Sequence, residues 1–181
     1  MFRYFPDPLN FSYVREDKAP CHFCGSTESR IDGSHCRGEA SIDAVCFDCL
    51  RNGKLIDLDL STNDVDLKRV GDCIPDVVER EDLTNQIIYC TPPLPTWQDT
   101  WWPFVDGDFC TFLKIASKRD FKGQNEFISS VHDDYKEMND PDELWSFLPD
   151  REIRNLSEGQ YNVSVYLFQR GNRLVTTWDA N

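Results

Sequence analysis

Four cysteines in two pairs carry the clearest chemistry of the chain. Cys21 and Cys24 flank two residues in "PCHFCGS", and Cys46 and Cys49 repeat the spacing in "VCFDCLRNG". A C-x-x-C turn presents two sulfurs to one ion while the backbone bends around it. Two such knuckles therefore supply the four thiolates of a tetrahedral zinc site. The 21 residues between Cys24 and Cys46 exceed the usual ribbon spacing, but closure entropy grows only logarithmically with loop length. The competing reading, a pair of buried or redox-active dithiols, lacks the βαβ surroundings of a thioredoxin-like motif. His22, His35 and Cys36 are each of a type that can replace one ligand.

A catalytic zinc keeps an open position and usually binds histidine or carboxylate, with a glutamate nearby to handle the proton. Four cysteines leave no vacancy. The deaminase arrangement needs H-x-E ahead of P-C-x-x-C, and "APCHFC" supplies only the second half. The expected cofactor is thus a structural zinc. His132, followed by Asp133 and Asp134, is the one group suggesting acid–base work, and it is expected on a solvated helix face. No glycine-rich phosphate loop occurs, and "VDGDF" lacks the later glutamate of a calcium loop. The chain is expected not to be an enzyme.

The formal net charge is −13, and it is concentrated. Residues 57–82 hold nine acids against three bases, and residues 133–150 hold seven against one, so these two segments supply −12. Such a surface repels nucleic acid and anionic lipid, and it favours a basic protein partner; solubility alone is the plainer alternative. Aromatic anchors are concentrated in "TWQDTWWPF". Trp97 and Phe104 are expected in a core strand, with one of Trp101 and Trp102 facing outward. The candidate partner-facing residues are Asp64, Asp66, Asp72, Asp76, Trp101, Trp102, Asp133, Asp134, Glu137 and Asp142.

The elements that must position these groups read as α+β. A small zinc-ribbon-like module over residues 1–54 is expected to pack on an antiparallel sheet with several helices, formed by residues 55–181 as part of one compact unit. "GEASIDAVC" reads as a strand delivering Cys46 to a turn and a short helix stopped at Gly53. Residues 55–71 read as acidic loop with room for one short strand. Pro75 then opens a helix whose inward face is Ile74, Val77, Val78, Leu83 and Ile87, ended by "TPPLP". Strands flank the turn Asp106-Gly107-Asp108. Residues 121–138 read as one amphipathic helix, and Asp140 and Pro141 start another that stops at Pro149. The chain finishes as a hairpin turning at "QRGN", with Tyr161, Val163, Val165 and Leu167 on one face. Cys36, Cys73, Cys90 and Cys110 are expected as free thiols. The start "MFRYFPDPLN" has no basic and apolar leader, and no apolar run approaches the roughly 20 residues of a membrane span, so the expected location is the cytoplasm.

The blocks "FRYFPDPL", "CHFCG", "VCFDCLRNGKL", "TWQDTWW...DFCTFLK" and "YLFQRGNRL...WD" resemble, in that order, the pattern of the CbrC family. These are bacterial proteins linked by name to colicin tolerance, and related domains occur as immunity partners of polymorphic toxins. The resemblance places the first knuckle on Cys21, Cys24 and Gly25, the second on Cys46 and Cys49, and a tryptophan-rich block on Trp97, Gln98, Trp101 and Cys110. The chain departs from the pattern at Cys90, where many members have arginine, and at Gln169, Arg170 and Gly171, where many have C-x-x-C-G. The resemblance implies an immunity protein that binds a cognate, basic toxin domain, with a zinc-dependent stress or colicin-tolerance protein as the alternative.

Overall fold

The structure, a computed structural model, describes residues 1–98, 100–136, 140–159 and 161–180. The first residues bring Phe2, Tyr4 and Phe5 into the core ahead of a single helical turn, α1 (Pro8–Phe11). Two short strands follow, β1 (Arg30–Asp32) and β2 (Ala44–Cys46), paired antiparallel with Ile31 opposite Val45. All three residues of β2 are buried, and the strand runs directly into α2 (Phe47–Arg51).

Two helices occupy the acidic middle. For α3 (Leu67–Cys73), Asp66 caps the start by accepting from the Arg69 N–H at 3.0 Å. The loop expected through residue 71 is therefore helical from residue 67. In α4 (Val77–Ile88), Asp76 accepts from the Glu79 N–H at 2.9 Å, so Pro75 precedes the cap instead of opening the first turn. The inward face also differs from expectation. Val77 and Val78 are exposed, while Thr84 and Ile87 are buried. Their burial follows the side of the helix facing Asn63, whose amide donates to the Ile87 and Pro92 carbonyls and whose Oδ1 accepts from Leu94 N–H.

A small hairpin, β3 (Phe104–Val105) and β4 (Asp108–Phe109), turns at Asp106-Gly107. It leads into β5 (Thr111–Ile115). Helices α5 (Gln124–Ser130), α6 (Asp133–Lys136) and α7 (Pro141–Phe147) come next. The long hairpin β6 (Val163–Arg170) and β7 (Arg173–Ala180) closes the chain, with Gly171 at φ +57° in its two-residue turn. The sheet order is β5-β6-β7, all antiparallel, with a register shift between Phe112 and Lys114.

Strand β6 is buried on both faces, not on one. Tyr166 and Phe168 join a cluster that reaches Phe2, Leu50 and Trp102 and so draws on both ends of the chain. Val165 and Leu167 face Phe127, Val131, Leu144 and Leu148, the apolar sides of α5 and α7 with the break between α5 and α6. The single helix expected over 121–138 is interrupted at that break. Val131 bridges to Thr176, and the His132 N–H donates to the Thr176 carbonyl at 2.8 Å. This backbone leaves the helix to bind the edge of β7. Met138, assigned to the same helix, lies outside the described residues.

Candidate functional sites: a four-cysteine centre and an acidic aromatic cleft

The sulfurs of Cys21, Cys24, Cys46 and Cys49 all lie within 4.8 Å of one another. Cys24 Sγ and Cys46 Sγ are 3.6 Å apart. Four thiolates at about 2.3 Å from a central zinc stand about 3.8 Å from each other, so the cluster fits a tetrahedral ion. Local backbone explains how the sequence achieves this. The Gly25 N–H donates to the Cys21 carbonyl at 2.9 Å, and Gly25 takes φ +74°, the left-handed conformation that closes the first knuckle. Cys46 ends β2 and caps α2, its Sγ accepting from the Cys49 N–H at 3.4 Å. The bonds from His22 N–H to the Ala44 carbonyl and from Phe47 N–H to the Ser29 carbonyl tie the two knuckles together, each at 2.9 Å.

Electrostatics within the cluster are uneven. Burial works against ionisation of Cys21, yet the backbone N–H groups of Cys46, Cys24 and Phe23 bring its thiol down to about 7. Burial and the neighbouring sulfurs push Cys46 and Cys49 upward. Four packed thiols resist ionising together, and a bound dication reverses that preference. Cys21 and Cys46 are buried and Cys24 is exposed. Neither His22, His35 nor Cys36 joins the cluster among the described residues. His35 instead stacks on Tyr13 at 3.4 Å. Cys36, Cys73, Cys90 and Cys110 stand as free thiols.

The acidic candidates are drawn into local structure to different degrees. Asp64 pairs with Arg37 at 2.5 Å, and Asp133 accepts from Lys136 at 2.8 Å, which holds the Asp133 carboxyl below its ordinary range. Asp66 and Asp76 are helix caps. Asp142 accepts from the Gln124 side chain at 2.6 Å, and Asp72 is exposed. Glu137 lies outside the described residues. The tryptophans divide as alternation requires: Trp101 is 56% exposed, whereas Trp102 is 1% exposed and donates its indole N–H to the Cys110 carbonyl. Trp102 is thus a core residue that offers no surface to a partner. Trp97, expected in the core, is exposed, and Phe104 is buried as expected.

One contact joins the two acid-rich segments. Arg69 Nη1 on α3 donates to Asp134 Oδ2 on α6 at 2.6 Å. Beside it opens a cleft of about 320 Å³ lined by Asp66, Arg69, Trp101, His132, Asp134, Tyr135, Trp178 and Asp179. His132 is buried, not solvated on a helix face, and burial lowers its pKa. Burial raises Asp179, whose carboxylate accepts from Tyr166 Oη and the Trp97 N–H. Burial also pushes Tyr135 up to about 12. Arg69 carries no local motif, whereas Tyr135 falls in the apolar period of residues 121–138 and Trp178 and Asp179 are the "WD" that closes the last block of the resemblance.

Among the described residues, no helix is long and apolar enough to cross a membrane. The sequence profile of the Uncharacterised protein family (UPF0167) matches residues 1–170. Relatives include UPF0167 proteins of Mycobacterium bovis and Mycobacterium tuberculosis, each 23% identical over 136 residues, covering 75% of this chain and 70% of the relative. No solved structure matches the chain at a significant level.

Proposed function

The chain belongs to the UPF0167 family, and from that premise we propose that it is an immunity protein: a cytoplasmic, non-enzymatic protein, stapled by a structural zinc, that binds and neutralises a basic bacterial toxin domain. The observation that carries this reading is the convergence of the two acid-rich segments, joined by Arg69 and Asp134 beside a cleft with an exposed tryptophan at its edge. Facing acidic segments raise the local potential and steer a basic partner, and a partly exposed aromatic supplies the anchor at the centre. The all-cysteine cluster supports a structural role for the metal, because four sulfurs complete the tetrahedron and leave no position for substrate. The resemblance to the CbrC family points the same way.

Within this reading the partner surface consists of Asp72, Asp76, Asp142 and Trp101, together with Asp66 and Asp134 at the cleft. Asp64 and Asp133 contribute charge that Arg37 and Lys136 partly offset. The second reading, a zinc-binding stress or tolerance protein without a dedicated toxin, draws on the name attached to the resembled family. Growth of bacteria expressing this chain with the toxin domain encoded beside it, followed by co-purification, tests the proposal. Rescue with a stable complex is the expected result. Absence of both rescue and complex would sink the immunity reading in favour of tolerance.

A further inference from the structure

The acids of the cleft are already engaged within the protein. Asp66 accepts from the Arg69 N–H, Asp134 from the Arg69 guanidinium, and Asp179 from Tyr166 Oη and the Trp97 and Gln98 N–H groups. His132, which lines the same cleft, is engaged on one side only. Its ring is 6% exposed, and Nδ1 accepts from the Asp134 N–H at 3.4 Å, which leaves the proton of the neutral imidazole on Nε2. Burial favours that neutral form. The side-chain atoms both unpartnered and sealed from water are Arg30 Nε and Trp178 Nε1, so His132 Nε2, also unpartnered among the described residues, is reached from the cleft. The Tyr135 hydroxyl, on a ring 6.2 Å from the imidazole, likewise has no partner among the described residues.

We propose that this cleft binds a small, neutral, planar aromatic ligand whose carbonyl or ring-nitrogen acceptor takes a hydrogen bond from His132 Nε2–H, with its ring against Trp101 and Tyr135. The chemistry selects this class. The surface around the donor is mostly aromatic, with Trp101, Phe104, Tyr135 and Trp178, and Tyr135 meets Trp178 edge to face at 6.4 Å. A flat ring gains from such walls beyond the area it buries. The volume of about 320 Å³ lies at the low end of the roughly 300–1,000 Å³ of small-molecule sites, which suits one ring or two fused rings. An anion meets three carboxylates against one guanidinium. A cation finds those carboxylates already bonded and faces an N–H donor, and a bare hydrocarbon leaves that donor without an acceptor. The inference stands apart from the toxin-binding reading, since no partner chain enters it.

The test uses the zinc-loaded full chain and three probes that share a phenyl ring: benzamide, a neutral acceptor; benzoate, an anion; and benzylammonium, a cation. Each is titrated while the His132 imidazole and Trp101 indole resonances are followed by NMR. Benzamide is expected to shift both saturably and to bind about 2- to 10-fold more tightly than either charged probe. Trp101→Ala removes an exposed side chain, so circular dichroism should remain unchanged while benzamide binding weakens by about 2- to 10-fold. His132→Phe keeps a ring without the donor and should weaken binding by a similar factor of about 2 to 10. Because that variant also removes the acceptor of the Asp134 N–H, the unsubstituted chain supplies an independent reading: benzamide should slow exchange of the His132 Nε2 proton with water and move its resonance downfield. Equal affinity for the three probes, or tightest binding of a charged one, would overturn the neutral-acceptor assignment. No saturable response to benzamide, or shifts that spare His132 and Trp101, would overturn the site itself.

Discussion

In the cysteine module, strands β1 and β2 are three residues long, and the knuckle that precedes them leaves Cys24 exposed. In the C-terminal half, β6 and β7 are eight residues long, pair along their whole length and carry buried side chains on both faces. A three-residue pair is marginal in water, whereas a three-stranded sheet covered on both sides is stable on its own packing. The difference teaches where a metal matters. The sheet is held by area removed from water; the knuckles bring together four sulfurs that could hold a cation and that resist ionising side by side without one.

The strongest way to break this contrast is to remove the cation. Chelation, or Cys46→Ser, is expected to abolish stoichiometric zinc binding and to open the module by more than about 5 kcal/mol. Hydrogen exchange should show it locally, with the His22 and Phe47 amides, bonded to Ala44 and Ser29, losing protection while the Tyr166 and Val175 amides keep theirs. Uniform loss across both regions would show that the metal holds the whole molecule. Retained zinc and unchanged exchange in the Cys46→Ser variant would remove the metal from the account altogether.

The converse experiment perturbs the sheet. Phe168 is fully buried and packs against Trp102 and Phe112, with ring centroids 5.6 and 5.3 Å away. Phe168→Ala should cost about 3–5 kcal/mol in denaturant unfolding, through lost transfer energy and the cavity left behind. Zinc content should stay near one per chain. Because the cluster around Phe168 also contains Leu50 and Leu55, loss of zinc in this variant would mean that the core, and not the metal, organises the knuckles.

The parts of the fold and sites that could be read from sequence are those fixed by neighbours in the chain. The knuckles, the strand ending at Cys46, the stop at Gly53 and the final hairpin all depend on spacings of a few residues. The break at Val131 and His132 depends on Thr176, which lies some forty residues on, and the apolar period across 121–138 therefore read as continuous helix. Helix α3 was missed because its signal is a single cap, Asp66, within a run of aspartates that reads as loop. Trp97 faces outward because its N–H is fixed by Asp179 near the other end of the chain. The cleft is assembled from the α3 start, Gln98 and residues 100–104, the α5–α6 break and β7, so no local pattern announces it.

Titration sharpens the comparison, since one region contains a half-buried histidine and the other a buried one. Burial depresses both His35, stacked on Tyr13, and His132, below the ordinary value of 6.5, with Asp32 and Asp134 respectively opposing the shift. The unfolded chain then binds more protons than the folded one between each depressed pKa and 6.5. Both histidines therefore contribute stability that is present above pH 6.5 and is lost as pH falls through the folded values. The slope is at most about 1.4 kcal/mol per pH unit for each group. NMR titration should place both imidazoles below 6.5, and His132→Gln should flatten the acid limb of sheet stability while leaving that of the module unchanged. A His132 titrating above 6.5 would mean that Asp134 outweighs burial.

The smallest effect concerns the seam between the two regions. Arg37 exchanges backbone bonds with Ser61, both at 2.8 Å, and its guanidinium meets Asp64 at 2.5 Å. The backbone pair cannot be removed by side-chain substitution, so it keeps residues 37 and 61 in register whatever the charges do. The two side chains are 40% and 41% exposed, and an ion pair so accessible to water contributes about 0.2–1 kcal/mol. A double-mutant cycle with Arg37→Ala and Asp64→Ala should return a coupling in that range, shrinking in high salt because screening shortens the reach of exposed charges. A coupling well above 1 kcal/mol that persists in salt would mean that the charges, and not the shared core and the backbone pair, fasten the cysteine module to the rest of the protein.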